Sequence, residues 1–411
     1  MGWLGLDDTD SLAGGCTTEA FHQLITNLPD GVVCGTPRLV RLWPFAQRRT
    51  RGNAALSVEI HASDEAGLLT HLDAWWETHL APLSGQVEAS TISERPQVPA
   101  SPGMVWFADA PDESYYWDAV RGDVTNSIRP QARRSWGGHG CIGATAAVAW
   151  PAREATWEAI AWRMPGASGS RRIDDAVLRE VDGWSNIVFS RDPRRGHQLV
   201  APRGPSPVLF GLRSRTLEDA EKACLRLLDS ANTESVIGWR VFKTNQASGD
   251  HLGADVRRSI KGKEVDPVRK HVVLSTDSHP IKVFAEGGPV NALARWLEVG
   301  DEVLVRGLVH PDGTLHAEQL RLVHAWPRQR QRPLCDECGV RMKSMGSGQG
   351  LRCPACKQRT PDSWEDVEFA PPTWAWTEPD VDARRHLARP LAWSENNGNS
   401  GRLNQNDEKQ W

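Results

Sequence analysis

The stretch Trp3-Leu4-Gly5-Leu6-Asp7-Asp8-Thr9-Asp10-Ser11, followed by Gly14-Gly15-Cys16-Thr17-Thr18, opens the chain. Its first residues are apolar and few, the pattern of a short buried strand. The strand ends in an acidic turn. A helix then begins near Thr18 and runs to about Leu28, with Ala20, Phe21, Leu24, Ile25 and Leu28 on one face and Pro29 as its stop. Asp7, Asp8 and Asp10 directly behind a strand can hold Mg2+, and through it the phosphates of ATP. Gly14 and Gly15 let backbone N–H groups approach phosphate, and Thr17 and Thr18 sit where the helix offers its positive end to an anion. Asp, Ser and Thr are also ordinary turn and N-cap residues. The glycines and the helix behind the acidic run are what favour a metal–phosphate site.

Outward from this block the chain alternates strands and helices. Residues 38–42 and 54–60 read as strands, and 66–80 as a helix capped by Ser63 or Asp64. Residues 82–103 are irregular and proline-rich, and 104–108 form a strand. The chain turns polar over 115–135, where a domain boundary is expected. A small-residue run at 142–149 and the segments 157–162, 208–212 and 239–242 follow, and Thr216-Leu217-Glu218-Asp219 opens a helix to about Leu228 as a capping box. Arg48-Arg49-Thr50-Arg51-Gly52-Asn53 clusters cations before a strand, and guanidinium groups clamp phosphate in a fork. Alone, it would pass for a solvated basic loop. Gly138-x-Gly140-x-x-Gly143 matches a dinucleotide fingerprint, but no acidic residue stands at the required distance. It reads as close backbone packing ahead of the small-residue helix.

From about residue 257 the pattern becomes all-β. Strands at 272–274 and 281–284, a helix at 290–297, and strands at 303–305 and 315–323 parted by Pro311-Asp312-Gly313 describe a small OB barrel. Next comes Cys335-x2-Cys338-x14-Cys353-x2-Cys356, two thiolate knuckles suited to tetrahedral Zn2+. Four thiolates leave no open position, so this zinc is structural. Within residues 326–359, Arg328, Arg330, Arg332, Arg341, Lys343, Arg352, Lys357 and Arg359 stand against Asp336 and Glu337, in a chain whose net charge is -4. That local field suits phosphate contact, although a purely structural knob would show the same knuckles. The remaining four cysteines are scattered among 411 residues, which argues against a disulfide framework. The sequence holds no apolar run near the ~18 residues of a membrane span. Strand-like sequence begins at Gly2, so no leader is expected and the location expected is cytoplasmic. The polar tail beyond residue 391 reads as disordered.

Several blocks, in order, resemble the archaeal tRNA-isoleucine 2-agmatinylcytidine synthetases, the TiaS family. They are the opening acidic run, Cys16-Thr17-Thr18, Pro37-Arg38-Leu39-Val40-Arg41-Leu42, Thr50-Arg51-Gly52-Asn53, residues 140–147, Pro207-Val208-Leu209-Phe210-Gly211-Leu212-Arg213, Thr244-Asn245-Gln246, the cysteine module and Ala383-Arg384-Arg385-His386-Leu387. Arg49 stands in the neighbourhood where the family has lysine, and His139 where arginine is expected. The resemblance implies a multidomain α+β protein: a kinase-like α/β domain at 1–125, a ferredoxin-like domain at 126–255, an OB-fold β-barrel at 256–326, a zinc ribbon at 327–373 and a partly disordered tail at 374–411. It implies an ATP-dependent ligase that phosphorylates the C2 oxygen of the wobble cytidine in an isoleucine tRNA with a CAU anticodon. Agmatine then displaces the phosphate, AMP is released, and the product tRNA decodes AUA. By this match Thr18 is the family's autophosphorylation site. Asp7, Asp8, Thr18 and Arg51 are the catalytic candidates. Asp7, Asp8, Asp10, Gly14, Gly15, Thr17 and Arg49 hold Mg2+ and ATP, and Cys335, Cys338, Cys353 and Cys356 hold Zn2+. No protein partner and no membrane are implied. The alternatives are a non-catalytic tRNA- or ssDNA-binding protein, which would not need the acidic run and Thr18, and a phosphotransferase for a small nucleotide, which leaves the basic ribbon unexplained.

Overall fold

The computed structural model describes all residues except 12–14, 50–51, 86–97, 193, 195, 203, 329, 368–369 and 396–411. Thr50, Arg51, Gly14, part of the irregular segment and the tail from residue 396 therefore lie outside the described residues, whereas Leu391–Glu395, expected to be disordered, form a short helix. Two compact units emerge: residues 1–253 with the C-terminal segment from 381, and residues 254–380.

The first unit is built on one ten-stranded sheet. Its strands are β1 (Gly2–Asp7), β2 (Val33–Cys34), β3 (Arg38–Arg41), β4 (Ala54–His61), β5 (Gly103–Phe107), β6 (Arg134–Gly137), β7 (Thr156–Arg163), β8 (Ile187–Val188), β9 (Val208–Ser214) and β10 (Val236–Thr244). The order is β6-β5-β1-β4-β3-β10-β7-β9-β8, with β2 added against β4. β1 runs antiparallel to both neighbours, Leu4 opposite Val58 on one side and Trp106 on the other. β10 joins the two halves of the sheet by pairing parallel to β3, Lys243 opposite Arg38, and antiparallel to β7.

The alternation of β1 explains how the unit packs, because successive side chains of a strand point to opposite faces. Leu4 and Leu6 enter a core with Phe21 and Leu24 of α1 (Thr17–Thr26) and Leu68 and Leu72 of α2 (Glu65–Trp75). Trp3, Gly5 and Asp7 point the other way, toward α4 (Gly140–Ala149), which follows α3 (Ser114–Arg121). Every residue of α4 is buried, as a helix without charges requires, and its one hydroxyl, Thr145, donates to the Cys141 carbonyl. A Cβ on Gly5 would lie 2.5 Å from the Ala144 carbonyl oxygen, and one on Gly140 2.5 Å from that of Asp7. Of the fingerprint glycines, Gly140 serves backbone contact, as its reading implied, whereas Gly138 and Gly143 face side-chain oxygens of Ser101 and Asp7. The second half packs α5 (Asp175–Asp182) and α6 (Leu217–Leu228) on β7 and β9 through Leu178, Leu212, Ala223 and Leu227.

Three local expectations change. α1 begins at Thr17, one residue early, because Cys16 takes the extended N-cap conformation. The expected helix over 66–80 is α-helical only to Trp75 and continues as a π turn over Trp76–Leu80. The polar stretch 115–135 contains a real helix, α3, which buries Tyr115, Tyr116, Ala119 and Val120, and leads into β6. Asp64, one of two candidates, is the N-cap of α2 and accepts from Gly67 N–H. Thr216 caps α6 through Asp219 N–H, but the reciprocal half of the box is missing: Thr216 N–H donates to Ser214 instead.

The second unit contains a closed five-stranded barrel, β11 (Val256–Val265), β12 (Val272–Thr276), β13 (Ile281–Val283), β14 (Glu302–Val309) and β15 (Leu315–His324), closed in the order β11-β12-β13-β15-β14. α7 (Pro289–Trp296) lies between the third and fourth strands and plugs the core with Val290, Leu293 and Ala294. A cysteine module with three two-residue strands, Lys343–Ser344, Leu351–Arg352 and Arg359–Thr360, belongs to the same unit. No helix among the described residues is long and apolar enough to cross a membrane.

Candidate active site

A cavity of about 590 Å³ opens in the first unit at the C-terminal end of β1. Asp7, Asp8, Asp10, Thr17, Thr18 and Arg49 all line it, so the structure gathers six of the residues singled out from the sequence. Gly15 adjoins Asp10, since its Cβ position lies 3.4 Å from the Asp10 Cα, and its φ of +76° needs glycine. Gly14 and Arg51 lie outside the described residues.

The acidic turn is held from within. Asp7 Oδ1 accepts from Asp8 N–H at 2.7 Å, and Asp8 Oδ2 accepts from Ser101 N–H at 3.1 Å. Asp8 adopts φ of +59°, a conformation few non-glycine residues take. The Asp7 carboxylate lies over Gly143, where any Cβ would come within 1.9 Å of its Oδ2. Burial pushes the Asp7 carboxyl well above the usual carboxylate range, and the neighbouring Asp8 adds to this. Burial likewise raises Asp8 to about 7, with the Asp10 charge adding and Ser101 N–H and the Arg48 guanidinium opposing. Buried carboxylates side by side, facing a cavity, form a site whose charge a hard cation would relieve. Carboxylate oxygens are the donor type that a hard cation such as Mg2+ takes, and these carboxylates line one cavity.

At the start of α1, Thr18 Oγ1 accepts from Trp162 Nε1 at 3.2 Å and lies 2.9 Å from Cys16 Sγ. Thr17 Oγ1 donates to Asp10 Oδ1 at 3.5 Å, a long contact. Arg49 is turned partly inward, with its Nη1 on the Ala46 carbonyl at 2.9 Å. Arg48 and His139 complete this end of the cavity. His139 is held below the usual imidazole range by burial and by the Arg48 charge, so at neutral pH it is neutral.

The floor of the cavity was not anticipated residue by residue. Arg41, Glu158, Arg213 and His386 line it. Arg41, Arg213 and His386 stood in blocks of resemblance with no role given. The one local signal for Glu158 was a lone carboxylate inside the apolar run Trp157-Glu158-Ala159-Ile160-Ala161-Trp162.

The cysteine module has a separate geometry. The four Sγ atoms lie within 4.8 Å of one another, with Cys335–Cys356 at 3.4 Å and Cys338–Cys353 at 3.3 Å. A tetrahedral zinc with thiolates at ~2.3 Å spaces its sulfurs by about 3.8 Å, so the cluster fits that ion with small adjustment. The two knuckles are copies. Cys335 N–H donates to Val340 O and Cys353 N–H to Gln358 O. The residue after each second cysteine, Gly339 or Lys357, takes φ near +67° or +68°. Met342 and Leu351 are the only hydrophobic support packed with buried Cys335 and Cys353 among the described residues.

These features meet in known proteins. Models described as the TiaS TCKD domain, the TiaS FLD domain and the TiaS C-terminal zinc ribbon domain match residues 3–68, 138–251 and 332–369. The isoleucine-tRNA 2-agmatinylcytidine synthetase TiaS of Methanopyrus kandleri is 31% identical, covering 95% of this chain and 96% of that relative. The chain belongs to the TiaS family. The TiaS of Thermofilum pendens is also 31% identical, over 94% of each chain. Among solved structures, a complex of TiaS with its isoleucine tRNA and ATP superposes with a TM-score of 0.74 at 26% identity, covering 95% of this chain and 97% of that one. Apo TiaS gives 0.72 over the same shares. The family match spans both the carboxylate-lined cavity and the cysteine module, so neither stands as an isolated motif.

Proposed function

We propose that this chain attaches agmatine to C2 of the wobble cytidine of an isoleucine tRNA with a CAU anticodon, at the expense of ATP. One observation carries the reading: in a chain that covers 96% of a TiaS relative, Asp7, Asp8, Asp10, Thr17 and Thr18 converge on one cavity at the end of β1. The cytidine C2 oxygen is a poor leaving group, and phosphorylation makes it a good one. The oxygen attacks a phosphoryl group of ATP, forming an O–P bond as the bond to the rest of the nucleotide breaks. The agmatine nitrogen then bonds to C2, the C–O bond breaks, phosphate leaves and the nitrogen gives up a proton. Loss of a further phosphate to water leaves AMP.

Asp7, Asp8 and Asp10 hold Mg2+, which neutralises phosphate oxygens. Asp7 is fixed over Gly143 and Asp8 by Ser101 N–H, which limits the freedom of both side chains. Gly14, Gly15 and the start of α1 approach the phosphates, with Thr17 and Thr18 at the helix's positive end. Thr18 is the phosphorylated threonine expected from the family. Arg49 and Arg51 stabilise charge on the transferring group. Zn2+ on Cys335, Cys338, Cys353 and Cys356 orders the ribbon, whose cations contact tRNA phosphate. The domain division is kept as kinase-like (1–125), ferredoxin-like (126–255), OB-fold (256–326), zinc ribbon (327–373) and tail (374–411). Support for the first four comes from the three family matches and the closed barrel. A tRNA substrate implies a cytoplasmic location.

The test is mass spectrometry of an isoleucine tRNA incubated with the protein, ATP and agmatine. The wobble nucleotide should gain the mass of agmatine less one water, and only when ATP is present. Tight tRNA binding with no mass change would reject the reading.

A further inference from the structure

The floor of the cavity carries charge that the mechanism above does not use. Arg41 on β3 and Arg213 on β9 flank the Glu158 carboxylate of β7, each at 3.8 Å. That is ion-pair range, but beyond a hydrogen bond. Glu158 accepts its hydrogen bond from Gln246 Nε2 instead. The Nε atoms of both arginines are buried and make no hydrogen bond, and Arg41 Nη1 has only a long contact, 3.5 Å, to the Gly52 carbonyl. The two side chains are 16% and 19% exposed. Two guanidinium groups against one carboxylate leave a surplus positive charge.

His386 does not cancel it. The Arg41 charge and burial hold its imidazole well below the usual range, and Arg213 adds to this, so it stays neutral. Half-satisfied guanidinium groups under low dielectric are expensive unless an anion completes them. The floor also adjoins the phosphate end of the cavity. The Cys16 thiol, 2.9 Å from Thr18 Oγ1, lies within electrostatic reach of both Asp10 and Arg41.

We propose that Arg41 and Arg213 form a clamp for a phosphoryl dianion at the floor of the cavity, with the Glu158 carboxylate between them competing with that anion for the two guanidinium forks. In the proposed reaction, on which the identity of that dianion rests, it is the phosphate carried by and then expelled from the cytidine. The carboxylate end thus handles the metal nucleotide, and the guanidinium end receives the phosphate. Two planar forks converging on one group are the geometry that bidentate phosphate recognition uses.

The test measures binding of inorganic phosphate to the full-length protein without tRNA, ATP or added magnesium, by calorimetry and by the rise in melting temperature. Wild type should bind saturably. Arg41→Gln and Arg213→Gln should each weaken binding by about tenfold or more, as loss of a charge-assisted fork does. Glu158→Gln removes the competing carboxylate and should tighten binding several-fold, an outcome that a merely structural role would not produce. Lys222→Gln, an exposed charge change on α6 outside the cavity lining, should leave phosphate affinity unchanged. Repeating the titration with AMP and magnesium separates the sources. Displacement of phosphate assigns the clamp to the nucleotide's own phosphate, and co-binding assigns it to the expelled phosphate. No saturable binding, unchanged affinity in both arginine variants, or weaker binding in Glu158→Gln overturns the clamp. Agmatine transfer is assayed on the same preparations. Wild-type transfer by Arg213→Gln rejects the clamp and leaves the proposed function standing. Absent transfer with intact phosphate binding rejects the function and leaves the clamp.

Discussion

At the scale of single residues, the cavity is defined by carboxylates that burial penalises. Asp8 has a folded value of about 7 against 3.8 for the ordinary group. A carboxyl raised in the fold favours folding below its unfolded value, and that contribution is lost as pH rises through the folded value. In protein without nucleotide or added magnesium, Asp8→Asn should therefore raise the melting temperature by a few degrees at pH 8. The gain should vanish toward pH 4, and a gain independent of pH would show that the Asp8 charge is not the cause. Magnesium with ATP should narrow the difference at pH 8 by stabilising the wild-type carboxylate. Activity should respond in the opposite sense: Asp7→Ala, Asp8→Ala and Thr18→Ala should each abolish agmatine transfer while tRNA affinity stays largely intact. Wild-type rates in all three variants would remove the site from these residues.

At the scale of elements, the site depends on how closely α4 lies on β1. A Cβ at Gly143 meets the Asp7 Oδ2 at 1.9 Å, whereas one at Gly103 meets the Cys141 backbone nitrogen at 1.9 Å. The two substitutions should separate. Gly143→Ala pushes a side-chain carboxylate out of place and should lower transfer about tenfold or more, since misplaced charge at a reacting site costs orders of magnitude. Gly103→Ala presses on backbone and should cost about 1–3 kcal/mol of stability, as overpacking does. Urea unfolding and initial rates compared on both variants decide this, and equal losses of both kinds in the two would contradict it. The elements also show what was legible in the sequence. β1 and α1 were readable because their apolar spacing has a single period, and the barrel because turn residues separate its strands. α3 was not, since its buried Tyr115, Tyr116, Ala119 and Val120 open a stretch rich in polar residues. The π turn at Trp76–Leu80 preserves the helical pattern nearly enough to pass as α-helix. The guanidinium floor is unreadable locally, because Arg41, Glu158 and Arg213 come from three strands and meet only through the β3-β10-β7-β9 order of the sheet.

At the scale of the whole molecule, a chain of net charge -4 must still hold a polyanion, so its positive field has to be local. In the cysteine module that field is confined to the stretch 341–359, whose five cations precede Asp362, Glu365 and Asp366, and the module has almost no core of its own: Met342 and Leu351 beside buried Cys335 and Cys353. Strands of two residues cannot fold on backbone hydrogen bonds alone. Metal binding there is therefore folding energy. Cys353→Ser should release zinc, measured by a chromogenic chelator, and unfold the module while the barrel, with its own core around α7, persists. The loss should then appear in tRNA binding as a change of salt dependence as well as of affinity. Each phosphate contact removed lowers the slope of log affinity against log salt by about 0.7–0.9. A module with cations on Arg341, Lys343, Arg352, Lys357 and Arg359 against Asp336 and Glu337 should account for several such contacts. A variant that loses zinc yet keeps the wild-type slope would confine the module to a structural role. The phosphate contacts would then have to come from the rest of the chain, and the cations around the zinc would serve only to offset the charge of four thiolates.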